Sequence, residues 1–425
     1  MTPEAMRVAV LDVGKTNVKL VLADGTGAVI ERRERPGASL PGPPYAQIDV
    51  DGFWAFALEG LAAFAAGPGV THVTATGHGG GCALVDGAGP VLPVMDYEDP
   101  GDAELRPAYD AQRAPFEETG SPPVGGLNVG WQLHRMEARL PAGFARARHL
   151  LLWPQYWTWR LSGVAASEIT YLACHTDLWA PWDARPSTLA RRRGWDALIP
   201  PRRDAWASLG PPSEAVRART GLPASTKVLT GMHDSNAAVL PHLEGDEPCA
   251  VISTGTWVVV MAVRQGAPRP GAEAVLVNVN AFGEPVPTAL FMGGRHRADL
   301  LGAEAEGAPD PAAMPEASDA ALIDGSGPAP RWRAAAAGLS PVGRRAAVAR
   351  HLALVSASRL ADVEASRGDV RVEGPLAFDA VYLDVLARAT GRRVVPVTEG
   401  TGPVAGAVRL AVLHEAGGPP AGDAR

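Results

Sequence analysis

A group that takes a proton from a bound hydroxyl must be ionised, held still, and faced by open space. The stretch Thr230-Gly231-Met232-His233-Asp234-Ser235-Asn236-Ala237-Ala238 offers such a group in Asp234. Lys227-Val228-Leu229 before it reads as a short buried strand. Asn236 to Leu240 after it reads as the first turn of a helix, stopped by Pro241. Asp234 therefore falls where a strand hands over to a helix N-terminus, whose partial positive charge favours the carboxylate. The small residues around it leave room for a ligand. The same letters also read as a helix cap, a position that prefers Asp, Ser and Asn. A hydrolase built on His233, Asp234 and Ser235 is discounted, because adjacent residues on one turn point in different directions and form no triad.

Other polar groups gather at strand ends. Gly14-Lys15-Thr16-Asn17 follows the buried run Val8-Ala9-Val10-Leu11-Asp12-Val13. Its letters invite a P-loop reading, which fails because position 9 is Ala and a strand, not a helix, follows. The tip still offers backbone N–H groups with the Thr16 and Asn17 side chains, a cradle for phosphate, or else a plain hairpin turn. Ser253-Thr254-Gly255-Thr256 is a second tip of the same kind. Gly77-His78-Gly79-Gly80-Gly81 follows a strand, and its glycines let a ligand approach the backbone closely. His78 is placed to hydrogen-bond a polar substrate or to sit in a solvated loop. Asp96-Tyr97-Glu98-Asp99, expected after a strand Val91–Met95, reads as a grip for sugar hydroxyls or as a solvated turn.

The elements that position these groups follow from periodicity. Val8 to Ile30 predicts a β-meander with a polar tip, and residues 48–66 an amphipathic helix. Residues 100–220 read as helical and loop-rich. Their tryptophans, Trp131 among them, are placed in the core or along the wall of a carbohydrate pocket. Cys249 to Met261 repeats the strand, polar tip, strand device. One such device early in each half suggests a duplicated architecture with both tips facing a shared cleft. Residues 265–345 read as loops and short helices. Thereafter comes a helix 346–366, a strand 369–375, a helix 378–390 stopped by Gly391, a strand 394–397, and a final helix opened by Gly400-Thr401-Gly402. Glycines at strand ends in such a run are how open α/β sheets hold a nucleotide. The tail beyond Ala416 reads as disordered.

Composition bounds the rest. A chain of 425 residues, 46% hydrophobic and 20% charged, is an ordinary globular protein for which two domains are the default. A net charge of −7 without a basic stripe argues against a general nucleic-acid binder. Three separated cysteines suggest neither a disulfide framework nor a zinc site. No signal peptide pattern and no apolar run long enough to span a membrane are present, so a cytoplasmic location is expected. A homodimer is the default assembly.

Taken together and in order, the motifs resemble the FGGY carbohydrate kinase family across nearly the whole chain. Asp12 to Lys19 resembles its first phosphate motif and Ser253 to Trp257 its second. Gly231 to Ser235 resembles the stretch with the catalytic aspartate, and Val372 to Gly391 the adenosine segment. The resemblance implies an α/β, two-domain sugar kinase/hexokinase/actin-like (ribonuclease H-like) fold with an interdomain cleft. Residues 1–245 would hold the sugar and the base, and residues 246–425 the nucleotide. It implies ATP and Mg²⁺ as cofactors and a small sugar as substrate. Asp234 would be the general base, and Asp12 and Asp234 would organise the metal. Asp12, Gly14, Lys15, Thr16, Asn17, Thr254, Gly255, Thr256, Gly374, Asp379 and Gly402 would bind ATP. His78, Gly79, Asp96, Trp131, His233 and Asp234 would contact the sugar. Trp153-Pro154-Gln155-Tyr156-Trp157 and Cys174-His175-Thr176-Asp177 resemble the branch acting on 6-deoxy ketoses such as L-rhamnulose and L-fuculose. Departures are Pro375 after Gly374 and Asp379 where asparagine is common. They leave a second reading, a kinase-fold sugar-binding regulator or transport-coupled protein with little turnover.

Overall fold

The structure, a computed structural model, describes residues 1–243, 245, 247–266, 275–325, 329–400 and 402–419. The chain divides into two compact units. Unit 1 is Met1–Glu244 with Pro268–Pro285 and Gly402–Arg425; unit 2 is Gly245–Ala267 with Val286–Thr401.

In unit 1, β1 (Val8–Val13) is buried along its whole length, as its apolar run demands. It pairs antiparallel with β2 (Asn17–Ala23), and β2 with β3 (Val29–Pro36). The Glu31-Arg32-Arg33-Glu34-Arg35 run makes β3 a charged edge, which discourages pairing with another chain. Helix α1 (Val50–Ala66) starts where Asp49 accepts the Gly52 N–H, and it buries Phe53, Leu58, Leu61 and Phe64. β4 (His72–Gly77) lies parallel to β1. Helices α2 (Val129–Arg139), α3 (Trp153–Ser162) and α4 (Ile169–Leu172) follow. The far side of β4 receives two short parallel strands, β5 (Lys227–Val228) and β6 (Met232–His233). Helix α5 (Asp234–Val239) leaves directly from β6. The aromatic-rich region is largely core: Trp153, Tyr156, Trp157 and Trp195 are fully buried, with Trp153 and Trp157 rings 5.0 Å apart.

The strand expected over Val91–Met95 is a correction, since only an isolated bridge from Met95 to Gln47 forms there. Pro93 brings no N–H to a ladder, and its carbonyl accepts the Tyr45 hydroxyl at 2.7 Å instead.

In unit 2, β7 (Cys249–Thr254) and β8 (Val258–Val263) form the expected hairpin. β9 (Pro285–Phe291) lies antiparallel on β8, and helix α6 (Gly293–Leu301) follows it. Ser340 caps α7 (Pro341–Asp362) by accepting the Gly343 N–H. β10 (Val370–Glu373) runs parallel to β7; after helix α8 (Ala380–Thr390), β11 (Val394–Val397) runs parallel to β10. The loop-and-short-helix reading of 265–345 is also corrected, since β9 and, in unit 1, a strand Leu276–Val279 lie there. Two prolines hid β9, yet its pairing with β8 covers only Thr288–Phe291, beyond Pro287, so neither proline costs that ladder a hydrogen bond.

The closing helix α9 (Gly402–Ala416) belongs to unit 1 and packs on α5 and β1. Gly406 makes this approach possible, since a Cβ there would lie 1.6 Å from the Ala237 carbonyl oxygen. At the far end Glu415 meets Lys227 at 2.5 Å and His72 at 3.3 Å. The expected disordered tail lies, from Pro420 on, outside the described residues. No helix among the described residues is long and apolar enough to cross a membrane.

Candidate active site

Asp234 is held by side chains contributed from far along the chain. The turn before it needs a left-handed residue: Gly231 has φ +76°, and a Cβ there would lie 2.3 Å from the Ala75 carbonyl oxygen. Gln155 of α3 donates to the carbonyls of Thr230 (3.3 Å) and Gly231 (3.1 Å), and the Thr158 hydroxyl reaches Thr230 at 3.2 Å. The Thr170 hydroxyl accepts the His233 N–H at 3.1 Å and donates to Glu168 at 2.6 Å. Burial pushes Glu168 up to about 7.

The helix cap falls to His233, whose Nδ1 accepts the Ser235 N–H at 3.2 Å. Asp234 is the first residue of α5, and its Oδ1 accepts the Ser235 N–H at 2.6 Å and hydroxyl at 3.2 Å. Its side chain stays 24% exposed, which leaves a face for a ligand. Burial raises its pKa, against the lowering effects of His78, Ser235 and Lys19. A carboxylate raised this way is a better proton acceptor than one in water.

Asp12 joins the same electrostatic group. Burial pushes it up to about 6; Lys19, opposite it on β2 at 3.6 Å, opposes the shift, and the Asp234 charge adds to it. Lys19 thus serves both carboxylates, a role the sequence reading did not assign. Lys15, expected on phosphate, lies 2.5 and 2.6 Å from the two Asp96 oxygens and 3.2 Å from Glu98. Burial alone would raise Asp96, but bonds from Lys15, the Glu98 N–H and Ser39 hold it below the usual range. Gly14, Lys15, His78, Asp96 and Glu98 line one cavity of about 170 Å³. His78 Nδ1 donates to the Gly79 carbonyl at 2.8 Å, so in the neutral ring Nε2 is an acceptor, and burial lowers the pKa of this imidazole. Thr16 and Asn17 are exposed at the tip. Trp131 stacks on His134 at 6.0 Å, lies beneath Arg106 and Arg135, and is part of the buried core of unit 1.

In unit 2, Thr254 is committed within the protein: its hydroxyl donates to the Glu373 carbonyl at 2.5 Å and accepts the Leu376 N–H at 3.1 Å. Gly374, at φ +80°, fits against it, since a Cβ would lie 2.0 Å from the Thr254 carbonyl oxygen. The Gly255 N–H bonds to the Trp257 carbonyl at 2.9 Å, so Thr256 supplies the exposed hydroxyl of this tip. Asp379 caps α8 by accepting the Tyr382 N–H at 2.9 Å, and burial raises its pKa. Gly402 opens α9 in unit 1.

Sequence reading missed the Gln155, Thr158, Glu168 and Thr170 supports. It also did not place Cys174 and His175 beside His233, although Cys174 Sγ lies 3.6 Å from His233 Nε2.

A family profile described as "Carbohydrate kinase FGGY, C-terminal domain" matches residues 246–419. L-fuculokinase from Salmonella typhi is 27% identical over 275 residues, which are 61% of this chain and 57% of that protein. The match therefore spans little more than half of that relative. A carbohydrate kinase of known structure from Novosphingobium aromaticivorans is 34% identical, with 96% of this chain and 91% of that one covered and a TM-score of 0.84. Xylulose kinase from Rhodospirillum rubrum shares the fold at 19% identity, with 98% and 91% covered and a TM-score of 0.78. The expected mixed α/β sugar-kinase fold of the actin-like class is thereby established, with two six-stranded sheets among the described residues.

Proposed function

This chain belongs to the FGGY carbohydrate kinase family, and from that premise we propose that it transfers the γ-phosphate of ATP to a hydroxyl of a ketose. The observation that carries the reading is Asp234: a partly exposed carboxylate at the start of α5, raised by burial and braced from three sides. In this reading the sugar hydroxyl gives its proton to an Asp234 oxygen as its own oxygen attacks the γ-phosphorus, and the bond to the bridging oxygen breaks with its electron pair leaving on ADP. Phosphoryl transfer depends mainly on positioning and charge stabilisation, so the rigidity of the Gly231 turn matters as much as basicity. Lys15 fixes Asp96, and His78 Nε2 and the Asp96 oxygens offer acceptors to sugar hydroxyls.

The residues present fit a divalent cation. Asp12 and Asp234 are both raised by burial, and Lys19 offsets both. Magnesium, when bound there, would neutralise charge on the transferring phosphoryl group. Thr16, Asn17 and Thr256 would meet phosphate, with Gly374 and Asp379 shaping the adenosine side. A sugar-binding role for 1–245, a nucleotide role for 246–425 and a homodimer complete the proposal.

For the sugar, 6-deoxy ketohexoses of the L-fuculose and L-rhamnulose class are favoured, supported by the L-fuculokinase relative and by the Trp153–Trp157 and Cys174–Asp177 stretches. ADP release with Mg-ATP, measured across ketoses, aldoses and polyols, tests this. Highest kcat/KM on a 6-deoxy ketohexose is the expected result. Activity confined to a pentulose or glycerol overturns the sugar assignment. Silence across the panel with sugar binding retained favours the regulator reading.

A further inference from the structure

Beside Asp234 lies a cluster of metal-ligating side chains to which the phosphoryl transfer assigns no chemical step. One ligand atom each from Cys174, His175 and His233 fall within 4.8 Å of one another, and all three residues are buried. We propose that these three side chains form a binding site for a thiophilic divalent cation of the zinc class.

The donor set is the first argument. Thiol and imidazole are ligands zinc prefers, and three from the protein with a fourth position open to water is the arrangement of zinc sites that are not closed structural ones. The spacing is the second. Tetrahedral bonds of about 2.0–2.3 Å place a sulfur and a nitrogen roughly 3.6 Å apart, and Cys174 Sγ to His233 Nε2 is 3.6 Å. Room is the third. A Cβ on Gly79 would lie 2.7 Å from His175 Nε2 and 3.1 Å from His233 Nε2, so the missing methyl leaves space beside both nitrogens.

His175 is 8% exposed and makes no hydrogen bond through Nδ1, so its ring is not tied to another group there, and Nε2 is the nitrogen that borders the space at Gly79. His175 and Asp177 both adopt positive φ, +40° and +64°, in a turn held by Asp177, which Tyr109, Arg113 and Asn128 clamp. Loading exchanges one proton for one cation: the Cys174 S–H bond breaks, the proton goes to solvent and the sulfur lone pair binds the metal.

Loading also reaches the base. With Nε2 on the metal, His233 must carry its remaining proton on Nδ1. That atom now accepts from Ser235 and lies 3.3 Å from Asp234 Oδ1. It would become a donor to Asp234, as metal-bound histidines commonly do to carboxylates. Zinc should therefore inhibit turnover, a consequence that rests on the kinase reading, whereas the binding itself does not.

Cobalt titration of the chelator-treated full chain tests the site without any activity assay. The expected result is one Co²⁺ per chain with a thiolate-to-cobalt charge-transfer band. That band should be lost in Cys174→Ser, and in Gly79→Ala if the introduced methyl occupies the space. Cys249→Ser, in unit 2, should keep it and controls for folding. Affinity should fall by about 100-fold or more in Cys174→Ser, on the scale of losing a metal ligand rather than its outer support. No saturable binding by the wild type, or a band that survives Cys174→Ser, overturns the proposal. Zinc that binds without slowing a sugar-dependent wild type overturns the coupling alone.

Discussion

The Asp234 turn of unit 1 and the Thr254–Thr256 tip of unit 2 are both strand-end devices, yet they are built in opposite ways. The first is packed under protein and braced by Gln155, Thr158 and Thr170, each from a distant element. The second is stitched by its own backbone and by Thr254, and leaves Gly255, Thr256 and Trp257 exposed. The contrast fits two tasks. A base must be immobile and partly dehydrated to hold a raised pKa. A phosphate cradle works through N–H groups and hydroxyls that must stay accessible.

One pair of substitutions should expose the difference most strongly. Gly231→Ala forces a methyl 2.3 Å from the Ala75 carbonyl oxygen at a positive φ. It is expected to cost about 3 kcal/mol or more in urea unfolding. Gly255→Ala meets nothing closer than the Trp257 carbonyl oxygen at 3.8 Å, and should cost less than about 1 kcal/mol. Equal losses would erase the distinction.

The dehydration beneath the base has a pH signature. Glu168 is raised from 4.5 to about 7 and Asp12 from 3.8 to about 6. The native state holds these protons more tightly than the unfolded chain. Their contribution to stability is full below the unfolded values and is lost as pH rises through the folded ones. For Glu168 the loss is roughly 3 kcal/mol between pH 4.5 and 7. Glu168→Gln should flatten that part of the stability profile; an unchanged slope would show that Glu168 is not the dehydrated group. At the exposed tip the expectation is smaller and of another kind. Thr256→Ala should leave stability within about 0.5 kcal/mol and raise the KM for ATP about tenfold, the loss of one hydrogen bond to a charged group. A large stability loss would contradict its description as a free tip.

Sequence patterning located both devices, because strand, glycine-bearing turn and helix start are local signals. Asp234 at a strand–helix junction, the hairpin Cys249 to Met261 and the closing β-α-β-α run were all legible for this reason. What escaped were long-range contacts. Gln155 reaches Thr230 across 75 residues and Lys15 reaches Asp96 across 81, and no periodicity encodes such pairs. The cap falls on His233, a residue outside the usual cap set, because Asp234 is already the first helical residue; both His233 Nδ1 and Asp234 Oδ1 accept the Ser235 N–H. Thr254 looked like a phosphate ligand because its type suits one; only the fold reveals that Glu373 and Leu376 occupy its hydroxyl. Val91–Met95 and β9 went astray in opposite directions, since a proline matters only where the ladder needs its N–H.

The central claim is that Asp234 takes the proton from the sugar. Sugar-dependent ADP release by wild type and Asp234→Asn, side by side at saturating Mg-ATP, tests it most directly. A fall in kcat of about 10²–10⁴-fold, the span of a general base, with sugar affinity and fold retained, is the predicted result. An Asp234→Asn enzyme that keeps its turnover would contradict the account.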